Sequence, residues 1–143
     1  MMLKAAKFHH IGVCVRNREE AVTFLSILGY SSGETILDPL QNVKLTLCTH
    51  PSQPPIELVE PTSNPGPLDR LLRNNTGFAY HCCYRVENSQ EALKELERQG
   101  IRAVTASSAK PSVLFLGSQV SFYQILGFGL VEFLEPINDS GAK

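Results

Sequence analysis

An internal repeat is the feature of this sequence that most constrains its fold. Residues 10–30, "HIGVCVRNREEAVTFLSILGY", align without a gap with residues 81–101, "HCCYRVENSQEALKELERQGI". Seven of the 21 positions are identical, where unrelated stretches of ordinary composition would share about one or two. A second pair, "IELVEP" (56–61) and "VEFLEP" (131–136), matches at an offset of 75 instead of 71. The chain of 143 residues therefore contains one structural unit twice.

Each repeat begins with the pattern of a β-strand followed by a helix. In "HHIGVCV", Ile11, Val13 and Val15 alternate with small or polar residues, which predicts a strand with one apolar face. Asn17, with a glutamate three residues later, is typical of a helix N-cap, and Gly29 predicts the end of that helix. The second repeat has the same signals, with Asn88 as the predicted N-cap and Gly100 as the predicted end.

Strand-forming runs after each helix complete the predicted order of elements. They lie around 34–37, 42–49 and 55–60 in the first repeat, and around 101–105, 112–118 and 130–135 in the second. We therefore predict an α+β fold, in which two βαβββ modules in tandem form a cup-shaped mixed sheet with helices on the outside. We expect residues 1–143 to form a single domain of two repeats, about 8–61 and 79–136, joined by a linker with a short helix at about 67–74.

Two histidines and two glutamates, tied together by the repeat, form the candidate site. If the apolar neighbours of Glu57 and Glu132 pack on helices, both carboxylates point to the opposite side of the sheet. The same alternation sends His10 and His81 to that side. Two imidazoles and two carboxylates suit a divalent cation such as Zn, Ni, Co or Mn. The alternative interpretation is that the histidines only begin strands and the glutamates are charges at strand edges.

Further residues are candidates for the surroundings of this site. Cys83 and Arg85 share the predicted face of His81, so we consider both as possible substrate-pocket residues, together with Lys44, whose orientation the pattern leaves open. Glu60 and Glu135 end their strands on the helix-packing side. The four cysteines contain no C-x-x-C pair, which favours free thiols in a reducing compartment.

Composition excludes several classes of protein. A content of 43% hydrophobic and 19% charged residues is that of an ordinary globular protein, and a net charge of −1 argues against a nucleic-acid partner. No apolar run approaches the roughly 20 residues of a membrane span, and the start lacks the apolar core of a signal peptide. We therefore expect a cytoplasmic protein without a membrane partner.

The motifs "HHIGVCVRN", "IELVEP", "GFAYHCCYRVEN" and "GLVEFLEP" carry a resemblance to a known family. The chain resembles the vicinal oxygen chelate superfamily (glyoxalase, bleomycin resistance protein and dioxygenase), and within it the methylmalonyl-CoA epimerases, with glyoxalase I a close second. The resemblance implies metal ligands at His10, Glu57, His81 and Glu132, an acyl-CoA or other thioester substrate, and a homodimer. Epimerases usually have glutamine where Glu57 stands, whereas glyoxalase I enzymes have glutamate. Epimerases also have a glutamate on the preceding strand, where our pairing places Lys44.

Such a site supports proton transfer next to a carbonyl group. We expect a metal-dependent isomerase or epimerase, in which Glu132, or Glu57 from the other side, removes and returns the proton. The alternatives are a lactoylglutathione lyase of the glyoxalase I type, metal-dependent opening of an epoxide, and a non-catalytic protein of the same fold that binds a drug or metabolite.

Overall fold

The computed structural model describes residues 6–63 and 65–137, which form eight strands and three helices. The first repeat contains β1 (Lys7–Val15), α1 (Arg18–Ile27), β2 (Ser31–Asp38), β3 (Val43–Thr49) and β4 (Ile56–Pro61). A short helix, α2 (Pro67–Leu71), lies in the linker. The second repeat contains β5 (Gly77–Arg85), α3 (Ser89–Arg98), β6 (Ala103–Pro111), β7 (Ser118–Ile125) and β8 (Gly129–Pro136). The predicted α+β fold of two βαβββ modules is confirmed. The strand predicted around 112–118 is wrong, because residues 112–117 form the connection between β6 and β7, in which the Ser112 hydroxyl accepts a hydrogen bond from the backbone N–H of Phe115.

Both repeats use the same strand pairing. The strand order is β2-β3-β4-β1 in the first and β5-β8-β7-β6 in the second. In each, the first and last strands of the module pair in parallel, and the remaining pairs are antiparallel. A parallel pair of strands needs a long crossover connection. In each module, the helix and two further strands form that connection between the two parallel partners.

The helix boundaries follow the signals in the sequence. The Asn17 side chain accepts a hydrogen bond from the backbone N–H of Glu20, and Asn88 accepts one from Glu91 in the second repeat. Gly29 and Gly100 end the two helices with φ of 94° and 77°, a left-handed conformation that glycine adopts without a steric penalty.

The contacts divide the structure into two compact units, residues 10–81 and residues 6–9 with 82–137. In the first unit, Ile56 and Leu58 of β4 pack with Val15 of β1 and Leu25 of α1. In the second unit, the corresponding core contains Val131 and Phe133 of β8 with Val86, Ala92 and Leu96. These contacts confirm that the apolar residues on either side of each glutamate face a helix.

The last glutamates of the two repeated strands have different environments. Glu135 accepts hydrogen bonds from the backbone N–H of Ser89, at the start of α3, and from the Gln119 side chain. Burial alone would raise the pKa of Glu135, but these hydrogen bonds outweigh it and lower the pKa. For Glu60, burial raises the pKa, and the cations Lys44 and Arg18 oppose the effect only in part.

We predict opposite effects on stability when these two glutamates are replaced by glutamine. Because its pKa is lowered on folding, Glu135 stabilises the fold above the ordinary glutamate pKa of 4.5 and loses this contribution as the pH falls through the folded-state value. Glu135→Gln should reduce the free energy of unfolding by about 1 kcal/mol at pH 7 and by less at pH 4. Glu60→Gln should leave it unchanged or raise it, since the ionised form of Glu60 is disfavoured on folding.

Urea unfolding of both variants and the wild type, at pH 7 and pH 4, measures these differences. An equal loss of stability in the two variants would contradict the interpretation that hydrogen bonds stabilise the ionised form of Glu135 and burial destabilises that of Glu60.

Candidate metal centre

The parallel pairing of β1 and β4 fixes the orientation of Glu57. Gly12 of β1 is the register partner of Glu57, and Val13 is the partner of Leu58. His10 precedes Gly12 by two residues and therefore lies on the same face of the sheet as Glu57. Leu58 lies on the other face, in the core beneath α1. The helix-packing contacts of β4 thus leave the Glu57 carboxylate on the face that carries His10.

Three buried side chains meet on this face. His10 is fully buried, and His81 and Glu57 are each 4% exposed. The Nε2 atom of His10 lies 3.6 Å from one carboxylate oxygen of Glu57, and Nε2 of His81 lies 3.7 Å from the other. The two Nε2 atoms are 3.4 Å apart. The candidate ligand atoms of the three residues therefore all lie within 4.8 Å of one another.

These distances fit coordination of an ion better than direct hydrogen bonding. Hydrogen bonds from nitrogen to oxygen usually span about 2.7–3.2 Å, and both imidazole–carboxylate distances are longer. Ligand atoms bound at about 2.0–2.2 Å to one tetrahedral divalent ion are separated by roughly 3.4 Å. Two nitrogen donors and a carboxylate are also a common donor set for zinc and related metals. The residues present therefore fit a divalent metal ion.

Glu132 has the same register in the second repeat as Glu57 has in the first. It is the parallel partner of Cys83 in β5, two residues after His81, just as Glu57 is the partner of Gly12, two residues after His10. Glu132 is 3% exposed. The core cluster on its face of the second unit is largely apolar and contains Cys83, Val120, Phe122 and Leu134. A carboxylate in such surroundings needs a specific function or partner, because burial of a charge is unfavourable.

The structure corrects the possible role of Lys44 in the pocket. Lys44 pairs with Glu60 in the antiparallel β3–β4 ladder, whereas Leu47 pairs with Glu57. Lys44 therefore lies on the face opposite to Glu57, and the β3 residues that share the face of Glu57 are Val43, Leu45, Leu47 and the exposed Thr49 at the end of the strand. On this face β3 therefore provides three apolar side chains and one hydroxyl, and neither a cation nor a carboxylate.

Cys83 and Arg85 keep the orientation expected from the sequence. Cys83 is fully buried on the face of Glu132, and the exposed Arg85 shares that face because it pairs with Leu134. One residue of the site was not singled out in the sequence. Gly12 adjoins both Glu57 and His81, and the only signal was a glycine inside a strand pattern, which often marks a close approach of another group.

The comparisons with known proteins agree with the fold. Residues 9–122 match the family model of the glyoxalase/bleomycin resistance protein/dioxygenase superfamily, so the chain belongs to this superfamily. The chain is 26% identical over 104 residues to the mitochondrial methylmalonyl-CoA epimerase of Mus musculus, a match that covers 71% of this chain. The match covers 58% of the mouse protein, so the chain spans little more than half the length of this relative.

Solved structures of epimerases share the fold. A methylmalonyl-CoA epimerase from Mycobacterium tuberculosis superimposes with a TM-score of 0.73 at 21% identity, over 95% of this chain and 91% of that chain. A methylmalonyl-CoA epimerase in complex with methylmalonyl-CoA and NH4+ gives a TM-score of 0.72 at 16% identity, over 92% of this chain and 95% of that chain.

Among the residues described here, none of the helices has the length and apolar character to cross a membrane.

The cysteines provide a test of the burial described here. All four lie in the described part of the chain, and none of them forms a disulfide bond, as the sequence predicts. Burial raises the pKa of the Cys14 thiol to about 11. Burial also raises the pKa of Cys48, against a smaller opposing effect of the Arg18 guanidinium. Because the thiolate is the reactive form, buried thiols with a raised pKa react slowly.

We predict that iodoacetamide at pH 8 modifies Cys82 in the native protein, because Cys82 is the only one of the four cysteines that is partly exposed. Cys14, Cys48 and Cys83 should be modified only after unfolding in denaturant. Peptide mass spectrometry of native and unfolded samples identifies the modified residues. Rapid native modification of Cys14 would contradict its burial.

Proposed function

We propose that this protein is a metal-dependent isomerase or epimerase that removes a proton next to a thioester carbonyl, with an acyl-CoA as the substrate class. The observation that carries the proposal is the buried cluster of His10, His81 and Glu57, with imidazole and carboxylate atoms at distances that suit a shared ion. The similarity to methylmalonyl-CoA epimerases supports the choice of reaction and substrate. The homodimer and the cytoplasmic location stay predictions from the sequence.

In this proposal, four residues hold one Co, Ni, Zn or Mn ion: His10, Glu57, His81 and Glu132. Three of them belong to the cluster described above, and Glu132 is assigned by its equivalent register and its burial. A bound divalent ion polarises a substrate carbonyl and stabilises the negative charge that forms when the neighbouring C–H loses its proton. The single-domain organisation, with both repeats contributing to one site, is part of the same proposal.

Glu132 is the proposed proton acceptor. The two oxygens of Glu57 each face one imidazole, so Glu57 is positioned chiefly as a ligand. The strand β3 has Val43, Leu45, Leu47 and Thr49 on the face of Glu57, and none of these side chains is a base. The carboxylate of Glu132 is buried in the second unit, on the same face as an apolar cluster. Exclusion of water around a carboxylate favours its action as a base in the transition state.

Lactoylglutathione lyase activity of the glyoxalase I type is the second candidate. The observation that favours it is a glutamate, not a glutamine, at position 57, with its carboxylate between the two imidazoles. Both reactions transfer a proton at a carbon next to a carbonyl, so the same four residues serve either reaction. Incubation with racemic methylmalonyl-CoA, with the hemithioacetal of methylglyoxal and glutathione, and with an epoxide distinguishes the candidates. Turnover of none of the three would favour the non-catalytic binding protein.

Metal content tests the ligand set. After removal of metal with a chelator and incubation with Co²⁺, Ni²⁺, Zn²⁺ or Mn²⁺, the wild type should retain about one ion per chain of at least one metal. His81→Ala should bind that ion at least about tenfold more weakly, because loss of a ligand costs more than loss of a group that only orients a ligand.

His50→Ala is the matched control, since His50 lies in the loop between β3 and β4 and contacts Leu28 and Ser52. Elemental analysis and titration calorimetry measure the content and the affinity. Absence of tight metal binding in the wild type, or equal affinity in His81→Ala, would overturn the metal assignment.

Proton exchange tests the role of Glu132. We expect Glu132→Gln to slow the exchange of the substrate C–H proton with D2O by about 10²–10⁴-fold, the usual contribution of a positioned general base. NMR measures the loss of the proton signal from the acyl-CoA. Glu60→Gln is the control, because Glu60 lies on the opposite face of β4 from Glu57. Exchange by Glu132→Gln at the wild-type rate, with full metal content, would exclude Glu132 as the base.

A further inference from the structure

Gly12 is in unusually close contact with one of the candidate ligands. A Cβ atom built on Gly12 would lie 2.1 Å from Cε1, 2.4 Å from Nδ1 and 2.6 Å from Nε2 of His81. Non-bonded carbon atoms in folded proteins do not approach one another this closely, because their optimal separation begins at about 3.5 Å. The imidazole ring of His81 therefore occupies the space that any side chain at position 12 would need.

Backbone conformation does not explain this glycine. The φ angle of Gly12 is not in the left-handed region, and the residue lies inside β1, paired with Glu57. A glycine in the interior of a strand weakens the strand, since it provides no side chain for packing. The repeat offers a direct comparison, because the equivalent position in the second repeat is occupied by Cys83. A side chain is thus compatible with this position of the strand, and it is the ring of His81 that excludes one at Gly12.

We propose that Gly12 is a positioning residue for His81. The missing side chain lets the imidazole lie against the backbone of β1, where its Nε2 atom reaches 3.4 Å from His10 and 3.7 Å from Glu57. The contact itself is independent of any bound ion, whereas its consequence for metal binding rests on the proposed function. Gly12 also makes the two repeats unequal, because the equivalent position in the second repeat carries the side chain of Cys83.

A larger residue at position 12 would displace whichever neighbouring group moves most easily. The Cβ atom of an alanine at position 12 is fixed by the pairing of β1 with β4. The ring of His81 is the end of a side chain with two rotatable bonds, so the ring moves more easily than the strand. Gly12→Ala should therefore displace a metal ligand and keep the fold. Ligand geometry within about 0.5 Å is needed for tight binding, so we expect at least tenfold weaker metal binding.

The experiment combines single and double variants. Wild type, Gly12→Ala, His81→Ala and the double variant are titrated with Zn²⁺ alone by calorimetry. Gly33→Ala is the control, because Gly33 also lies in a strand of the first repeat, and its added Cβ would lie 3.2 Å from the backbone oxygen of Leu47 and not against a candidate ligand. Gly12→Ala should lose at least tenfold in affinity and Gly33→Ala should not. The double variant should bind no more weakly than His81→Ala, because Gly12 acts through His81.

Two measurements on the metal-free protein keep the test independent of the proposed function. The NMR signals of the His81 ring should shift in Gly12→Ala, and their cross-relaxation with the His10 ring should be lost. In thermal unfolding, Gly12→Ala should lower the melting temperature in the wild-type background and not in the His81→Ala background, where the ring is absent. This second comparison applies even where Gly12→Ala unfolds easily.

The outcomes distinguish the positioning role of Gly12 from the proposed metal-dependent function. Unchanged ring signals in Gly12→Ala, or an equal loss of melting temperature in both backgrounds, would overturn the positioning role. Equal Zn²⁺ affinity of Gly12→Ala and wild type would overturn it as well. A wild type that binds no metal, together with the expected ring displacement, would overturn the proposed function and leave the positioning of His81 intact.

Discussion

The parallel register between the first and last strands of each module is the constraint on which the site depends. In the first module it pairs Gly12 with Glu57, and in the second it pairs Cys83 with Glu132. Because side chains alternate along a strand, the apolar neighbours of each glutamate are directed to a helix and the glutamate to the other face. Burial of a carboxylate is unfavourable unless charged or polar groups compensate for it. Next to Glu57, one imidazole from each module, His10 of β1 and His81 of β5, is present for this purpose, and a bound cation would add positive charge.

The two modules show how equivalent positions diverge after a duplication. Glu135 accepts a hydrogen bond at the start of α3, where Ser89 provides a backbone N–H. At the position equivalent to Ser89 the first module has Arg18, whose side chain donates to Thr46 on β3. Glu60 therefore lacks the arrangement that lowers the pKa of Glu135, and burial raises its pKa instead. The strand pairing is the same in both modules, while the polar contacts around it have become specific to each.

Much of the fold and part of the candidate site could be predicted from the sequence, and the exceptions have a physical cause. Caps at Asn17 and Asn88 and the alternation around Glu57 are local signals, and the structure agrees with all of them. The face of Lys44 does not follow from the local pattern, because it depends on the register between β3 and β4, which are joined by the six-residue segment 50–55. The role of Gly12 also cannot be predicted from the local sequence, because its contact partner His81 lies 69 residues away in the chain.

All four candidate donors lie on strands, and this limits how far the site can adapt. His10, Glu57 and His81 belong to β1, β4 and β5, and the first two are held by backbone pairing next to a packed helix. A site built on paired strands has little freedom to adapt its ligand positions, so its geometry is set largely by the side chains that fill the space around each ligand. The absence of a side chain at position 12 is then as much a part of the site as the imidazole that occupies its space. Divergence within such a fold is easiest on the surrounding strand faces. The apolar residues Val43, Leu45 and Leu47 lie on one such face, where a base or a cation would change the chemistry available to the candidate site.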